Sequence, residues 1–131
     1  MSAYLHAQHF SVEEAQQILA EILPELNRMV ELKHTLDEKG YDVFRHKYFG
    51  GLGPNGQKFF PQELEDIVEI AQMLDRRGIQ LKAIETALID FPHVRTNGEE
   101  VYLCYYAGEA AITTWHTIAD GFAGRQLLET L

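Results

Sequence analysis

The sequence contains one cysteine, Cys104, among its 131 residues. A single cysteine cannot form an internal disulfide, so the fold does not depend on an oxidising compartment. The opening residues, MSAYLHAQHFSVEE, have neither the basic stretch nor the apolar stretch with which a secretory signal begins. Together these two absences favour a cytoplasmic location.

Positive charge is also scarce. The chain has 11 Lys and Arg residues against 20 Asp and Glu residues, which gives a formal net charge of -9. A mostly negative surface argues against general binding to nucleic acid or to an anionic membrane. The apolar runs are only a few residues long, whereas a membrane-spanning helix needs roughly 20. We therefore expect neither nucleic acid nor membrane among the partners.

What is present is an ordinary globular composition, 46% apolar and 24% charged. A chain of this length buries roughly two-thirds of its unfolded surface, which is enough for one independent core. The patterns described below predict a single domain, 1–131. It divides into a first helix over 11–40, a connecting loop over 41–60, a second helix over 61–78 and a β-rich part over 79–131.

The first helix has a recognisable start. Ser11 followed by Glu14 forms a capping box, in which each side chain bonds the other residue's backbone amide. Apolar residues then recur at alternating spacings of three and four, which is the period of a helix packed lengthwise on another helix. The members of this seam are Val12, Ala15, Leu19, Ile22, Leu26, Met29 and Leu36.

The second helix has matching signals. Pro61 suits a first helical position, and acidic residues such as Glu63 follow it, where they favour the positive end of the helix dipole. Arg77 and then Gly78 close the helix in the usual order. Because both helices carry compatible apolar seams, we predict an antiparallel, coiled-coil-like helical hairpin.

Beyond Gly78 the period changes from that of a helix to that of strands. The stretches 84–91, 101–106 and 112–118 are rich in apolar, β-branched and aromatic residues and are separated by turn signals. We predict three short antiparallel strands after the hairpin, so the fold class is α+β.

The connecting loop over 41–60 differs from the rest of the chain. It holds six of the 13 Phe and Tyr residues, four of the ten glycines, and three bases against one acid. Aromatic residues beside an arginine are typical contact residues of protein interfaces. We predict that Phe44, Arg45, Tyr48 and Phe49 contact a protein partner; alternatively, these aromatics fold back and cover the end of the helices. A small β-hairpin within the loop also fits its turn residues.

A polar cluster in the C-terminal part is the main candidate for chemistry. A histidine with nearby carboxylates can bind a divalent metal ion or act as a general base. Glu109, His116 and Asp120 are the predicted metal ligands. The alternative is a packed histidine that bonds a backbone carbonyl while the carboxylates cap turns.

A second candidate is the loop DGFAGR over 120–125. Gly121 and Gly124 allow successive backbone amides to form an anion-binding concavity, and Arg125 supplies a bidentate donor. We predict that these three residues and Asp90 bind a ligand. The alternative is that the glycines simply allow a tight turn. Cys104 is expected to be a small buried hydrophobic residue, because a nucleophilic role would require contact with His116.

Several short motifs together resemble a small prokaryotic family of unknown function, the 2203 family. The start of the first helix, FSVEEA over 10–15, is similar to the opening of that family. The C-terminal motifs are DFP at 90–92, VYLC at 101–104, WH at 115–116 and DGFAGR at 120–125. The resemblance covers roughly residues 9–128. It implies a shared fold and marks Glu109, His116, Asp120 and Arg125 as signature positions, but it implies no reaction.

Two functions remain open. The first is a non-enzymatic interaction or regulatory module that self-associates or binds a protein partner through the helical hairpin and the 41–60 loop, and we favour it because the seam is long relative to the sheet. The alternative is a metal-binding or small-anion-binding protein, with a divalent metal as the candidate cofactor and the C-terminal Glu, His, Asp and Arg residues as its site. The sequence does not decide whether the protein is an enzyme.

Overall fold

The computed structural model describes residues 4–43, the backbone of 47–48, and residues 61–131. Two helices and seven strands follow one another along these residues. Their order is α1 (Val12–Glu38), β1 (Tyr41–Asp42), β2 (Lys47–Tyr48), α2 (Gln62–Arg76), β3 (Gln80–Ala83), β4 (Leu88–Val94), β5 (Glu100–Tyr105), β6 (Thr114–Thr117) and β7 (Gln126–Leu127). The α+β fold class is confirmed.

Helix α1 begins at the predicted capping box. The Glu14 amide donates to the Ser11 hydroxyl at 3.0 Å, and the Ser11 amide donates to the Glu14 carboxylate at 2.8 Å. This bonding lowers the pKa of the Glu14 carboxyl. The helix ends at Glu38, two residues before Gly40, whose φ of 73° is one that few other residues adopt.

Helix α2 differs slightly from the predicted span of 61–78. Pro61 is the residue before the helix rather than its first residue, because its ψ of 150° is extended. The helix ends at Arg76, and Arg77 caps it. Three ion pairs connect α2 and its C-terminal cap to α1 or its end: Arg28 with Asp66, Lys39 with Glu63, and Arg77 with Glu21.

The apolar seam of α1 packs against other parts of the same chain. All its members except the partly buried Val12 are buried, and they belong to one core cluster with residues of α2 and the sheet. Ile67 and Leu74 contribute from α2, and Phe91 and Leu103 contribute from the strands. The seam is therefore buried as part of the core of this chain.

The sheet has five antiparallel strands in the order β3-β4-β5-β6-β7, so the predicted number of three was wrong. The two additional strands lie at the edges of the sheet and are short, with four residues in β3 and two in β7. Neither strand alternates buried with exposed residues, so neither leaves a readable pattern in the sequence.

The first predicted strand, 84–91, is also displaced in the structure. Residues 84–87 form a turn that ends at Ala87, whose φ is 49°, and β4 then runs from Leu88 through Pro92 to Val94. Proline has no amide proton to donate, but at Pro92 no hydrogen bond to β5 is lost. Its carbonyl accepts from the Phe10 amide at 2.8 Å, so its nitrogen also points away from β5.

Within the 41–60 loop, β1 and β2 pair as a small antiparallel ladder, with Tyr41 opposite Tyr48. Phe44, Arg45 and Phe49, the predicted contact residues, lie outside the described residues, and of Tyr48 only the backbone is described. In the described part of the chain, neither helix combines the length and the apolar character needed to cross a membrane.

Candidate functional site

The sheet has two different faces. Alternate residues of β5, namely Val101, Leu103 and Tyr105, belong to the core cluster shared with the helices. The intervening residues Tyr102 and Cys104 are buried but do not belong to that cluster, so they lie on the opposite face, which we call the outer face. The outer face also carries buried polar groups.

Strand register brings these polar groups together. Asp90 on β4 is opposite Cys104 on β5, and Cys104 is in turn opposite Thr114 on β6. His116 on β6 is opposite Tyr102. Residues directly opposite one another share a face of the sheet. Asp90, Tyr102, Cys104, Thr114 and His116 therefore form one continuous patch of the outer face.

Asp90 and His116 meet across the intervening strand. The Asp90 Oδ1 and the His116 Nε2 are 3.0 Å apart, and both residues are only 2% exposed. Strands two positions apart in a sheet are separated by about 9.5 Å. The two side chains therefore lean towards each other over β5, where the small side chain of Cys104 leaves room for them.

The two ring nitrogens of His116 have different partners. Nδ1 lies 2.9 Å from the Thr117 carbonyl oxygen, and a carbonyl only accepts, so Nδ1 carries a proton. Nε2 faces the Asp90 carboxylate. Burial by itself lowers the pKa of His116, but the bonds to Asp90 and Thr117 and the negative charge of Asp90 together raise that pKa above its usual value. The pair is thus arranged as imidazolium and carboxylate.

Cys104 completes the group as a neutral thiol. Burial, the negative charge of Asp90 and a hydrogen bond to Asp90 raise the pKa of the thiol to about 12. Both nitrogens of His116 are engaged elsewhere, so His116 is not placed to remove the thiol proton. Cys104 is therefore not set up as a nucleophile.

The ligand atoms of Asp90, Cys104 and His116 are close enough together that the three residues could hold one metal ion. One ligand atom from each residue, a carboxylate oxygen, a thiol sulfur and a ring nitrogen, lies within 4.8 Å of the others. Around a tetrahedral zinc ion, such atoms are separated by about 3.3–3.8 Å, given metal–ligand distances of about 2.0–2.3 Å. To bind one ion, the Asp90 and His116 atoms at 3.0 Å would have to move slightly apart, and the widest separation, up to 4.8 Å, would have to shorten by roughly 1.3 Å.

The structure places Glu109 in a turn. Its carboxylate accepts from the Tyr106 amide at 3.0 Å and from the Thr113 hydroxyl at 3.1 Å. The cluster of candidate ligands among the described residues does not include it. The role that fits these bonds is closure of the turn between β5 and β6.

Asp120 also stands apart from His116. It is exposed, and its backbone amide donates to the Thr117 hydroxyl at 3.0 Å. A side chain at Gly124 would approach the Asp120 Cβ to 2.5 Å, so the turn requires a glycine there. Gly121 has a φ of 66°, which also favours glycine. Turn geometry accounts for both glycines.

Arg125 packs against two aromatic rings that also contact each other edge-on. Its guanidinium carbon is 3.8 Å from the centre of the Phe122 ring and 5.1 Å from that of Tyr106. Among the described residues, neither its buried Nε nor the buried hydroxyl of Thr114 has a hydrogen-bond partner. Its positive charge also acts on Cys104, where it opposes the rise of the thiol pKa.

A segment before α1, residues 4–10, covers the other end of this patch. Glu100 accepts hydrogen bonds from the amides of Leu5 and His6 at 2.7 and 3.0 Å, and pairs with His9 at 2.7 Å. The His6 ring bonds the Tyr102 hydroxyl at 2.6 Å, and the Tyr102 ring packs edge-on against His116. We call residues 4–10 the N-terminal segment.

Of the predicted site residues, the structure therefore joins His116 with Asp90. Sequence reasoning placed Cys104 in the core and did not single out Thr114 or Tyr102 for the site. A signal for them was present, because the alternation of β5 and β6 puts each on the face of its strand that carries polar residues. The pairing register needed to join the strands was missing.

Comparison with protein families matches residues 8–128 to the family described as "Uncharacterized conserved protein (DUF2203)". The match confirms the resemblance that the sequence motifs indicated. Searches among curated proteins and among solved structures find no match.

Proposed function

The chain belongs to the DUF2203 family, whose description specifies no ligand. From the buried polar groups on the outer face of the sheet, we propose that the protein binds a divalent transition metal ion through Asp90, Cys104 and His116. The observation that carries this proposal is the convergence of their three ligand atoms within 4.8 Å in a buried position. Carboxylate, thiolate and imidazole are the common protein ligands of zinc.

The charges of the group suit a dication. When no metal is bound, the buried groups of the cluster are an aspartate, a histidine and a thiol whose pKa is strongly raised. Buried charges are stable when they are paired or bind a metal, and without a metal the Asp90 charge is paired with His116. A divalent ion would balance the Asp90 carboxylate and a Cys104 thiolate, which leaves the site neutral.

The orientation of His116 supports the same proposal. Metal-binding histidines commonly donate their second ring N–H to a carbonyl or carboxylate, which fixes the tautomer and directs the other nitrogen at the metal. Here Nδ1 donates to the Thr117 carbonyl, so Nε2 is the nitrogen directed into the cluster. This is the arrangement that zinc would require.

Zinc is the class of metal that fits best. A sulfur ligand disfavours magnesium and calcium, which prefer oxygen ligands only. Three protein ligands leave one position of a tetrahedral ion for water or an exogenous group, as in catalytic rather than structural zinc sites. The proposal includes this open fourth position but no particular reaction.

Metal titration of tag-free protein tests the proposal. After treatment with a chelator, the protein should bind one Zn²⁺ per chain, and Co²⁺ in its place should give a sulfur-to-cobalt absorption band together with the visible bands of tetrahedral cobalt. Cys104→Ser should remove the sulfur band, and His116→Gln should weaken binding by about 100-fold or more. Circular dichroism should show that each variant is folded.

Glu109→Gln is the matched control, since Glu109 is the carboxylate that sequence reasoning placed beside His116. It should change metal affinity far less than the ligand variants do, because Glu109 bonds a turn and acts on Cys104 only through its charge. Binding that survives Cys104→Ser and Asp90→Asn but is lost in Glu109→Gln would overturn this ligand set. No stoichiometric binding of zinc or cobalt by the wild-type protein would overturn the function.

We also propose, as a second candidate function, the interaction module that self-associates or binds a protein partner. Its observed support is three large hydrophobic side chains exposed within ten residues: Ile118, Phe122 and Leu127, at 36%, 43% and 57%. The seam of α1, in contrast, is buried within the chain. Analytical ultracentrifugation should show self-association that Leu127→Ser weakens and Val68→Ser, an exposed site on α2, does not. A monomer at all concentrations would contradict self-association.

As part of the same proposal, we infer that α1 and α2 form an antiparallel hairpin. The order of the ion pairs supports it, since residues 21, 28 and 39 of the first helix and its end pair with 77, 66 and 63. Distances between spin labels on the two helices would test this orientation.

A further inference from the structure

We propose that Arg125 and Thr114 bind a small carboxylate anion, which occupies the open fourth position of the metal. This inference rests on the proposed metal site and names the class of ligand that would complete it. It is carried by two buried donors, the Arg125 Nε and the Thr114 hydroxyl, for which the described residues provide no hydrogen-bond partner.

Unpartnered buried donors are rare in folded proteins. Leaving one without a partner costs about 1–3 kcal/mol, so a buried donor without a protein partner points to a ligand or an ordered water molecule. Arg125 also has no ion-pair partner in the described part of the chain; its guanidinium instead packs against the rings of Phe122 and Tyr106. Such stacking holds the guanidinium in place and leaves its edge free to bond.

The sheet register places both donors beside the cluster. Thr114 is directly opposite Cys104, on the same face of the sheet. β7 pairs with β6 so that Leu127 is opposite Thr114 and Gln126 is opposite Trp115. One further step along this register puts the extended residue Arg125 opposite His116, on the outer face.

From that position the Arg125 side chain reaches Tyr106, which follows β5 on the Cys104 side of the patch. The path from His116 to Tyr106 passes Thr114 and Cys104. The effect of the Arg125 charge on the Cys104 thiol agrees with this path. An anion bonded by Arg125 and Thr114 would therefore lie next to the Cys104 sulfur and the metal.

The charges indicate a monoanion. A divalent metal with one carboxylate and one thiolate is neutral, so Arg125 supplies the single positive charge to be balanced. The carboxylate of Glu109 also acts on Cys104, and this nearby negative charge disfavours a dianion such as phosphate. The planar fork of arginine bonds a planar carboxylate through two parallel hydrogen bonds. A small carboxylate meets all of these conditions.

The test uses the cobalt-loaded protein with acetate as the probe. Acetate should change the visible cobalt bands in a saturable way, and sodium chloride at the same ionic strength should not. Arg125→Gln should weaken acetate binding by roughly 10-fold or more, the loss expected for a charge-assisted hydrogen bond. Thr114→Val should weaken it by a few-fold without lowering the thermal stability of the acetate-free protein, because the described residues offer its hydroxyl no hydrogen-bond partner.

Arg28→Gln is the matched control, since Arg28 is an exposed arginine on α1 that pairs with Asp66. It should leave acetate binding unchanged. Cobalt bands that form but do not respond to acetate, or that respond equally to chloride, would overturn the carboxylate site and leave the metal site standing. Failure of cobalt to bind at all would instead overturn the proposed function.

Discussion

Asp90 and His116 are 26 residues apart in sequence and lie on strands that are not neighbours, yet their side chains meet at 3.0 Å over Cys104. The contact depends on the small residue between them, because a larger side chain at position 104 would fill the space above β5. Both residues are almost fully buried. In the absence of a metal this pair is the main electrostatic feature of the outer face.

Removing the charge of Asp90 should be costly. In Asp90→Asn the buried His116 ring loses its charged hydrogen-bond partner, and the loss of such a bond lowers the free energy of unfolding by about 1.5–3 kcal/mol. Urea unfolding of metal-free protein would measure it. Asp66→Asn, which breaks the more exposed pair with Arg28, should cost less than about 1 kcal/mol. Equal losses in the two variants would show that the buried pair contributes no more to the free energy of unfolding than the more exposed pair.

The raised pKa of His116 makes the stability of the metal-free protein depend on pH. A group whose pKa is higher in the folded state contributes stability that is fully present below its unfolded value, about 6.5. This contribution is lost as the pH rises through the raised folded pKa. Above pH 6, the unfolding free energy of the wild type should therefore decrease relative to that of His116→Gln as the pH rises. A difference that is constant with pH would contradict the imidazolium assignment.

Metal affinity should have the opposite dependence on pH. Zinc must displace the proton of Cys104, whose pKa is about 12, and the proton that His116 carries on Nε2. Each displaced proton makes the affinity rise about tenfold per pH unit below the pKa concerned. Competition with a chelator from pH 6 to pH 8 would measure the slope. A slope of zero would mean that neither ligand releases a proton.

Much of the helical part could be read from the sequence, because its signals are local. Ser11 and Glu14 are three residues apart, and their reciprocal bonds follow from that spacing alone. The alternation within β5 and β6 likewise indicates which residues share a face. The edge strands β3 and β7 could not be read, because they are short and their pairing depends on the neighbouring strand rather than on their own residues.

The site could be read only in part, for a related reason. Nearness in sequence favoured Glu109 and Asp120 as partners of His116, but the Glu109 carboxylate bonds a turn, and Asp120 is exposed and outside the cluster found among the described residues. Asp90 was singled out without being joined to His116. That contact follows from the register of three strands, which is set by long-range packing.

Glu100 should control the order of the N-terminal segment. Glu100→Gln weakens three bonds, from the amides of Leu5 and His6 and from the His9 ring, so the segment should separate more readily from the sheet. Hydrogen exchange of the Leu5 and His6 amides should speed up by roughly tenfold or more, which corresponds to about 1.4 kcal/mol. Glu99→Gln is the control, because that neighbouring carboxylate is more exposed and pairs with Arg95.

The same contact should weaken in acid. Burial by itself raises the pKa of Glu100, but the bonds from His9, Leu5 and His6 lower it overall. A group with a lowered folded pKa contributes stability above its unfolded value, about 4.3, and that contribution is lost as the pH falls through the folded pKa. Exchange of the two amides in the wild type, corrected for the intrinsic effect of pH, should therefore approach that of Glu100→Gln below about pH 4. Protection that persists in Glu100→Gln would mean that the remaining bonds, such as those of His6 with Tyr102 and of Phe10 with Pro92, are enough to hold the segment.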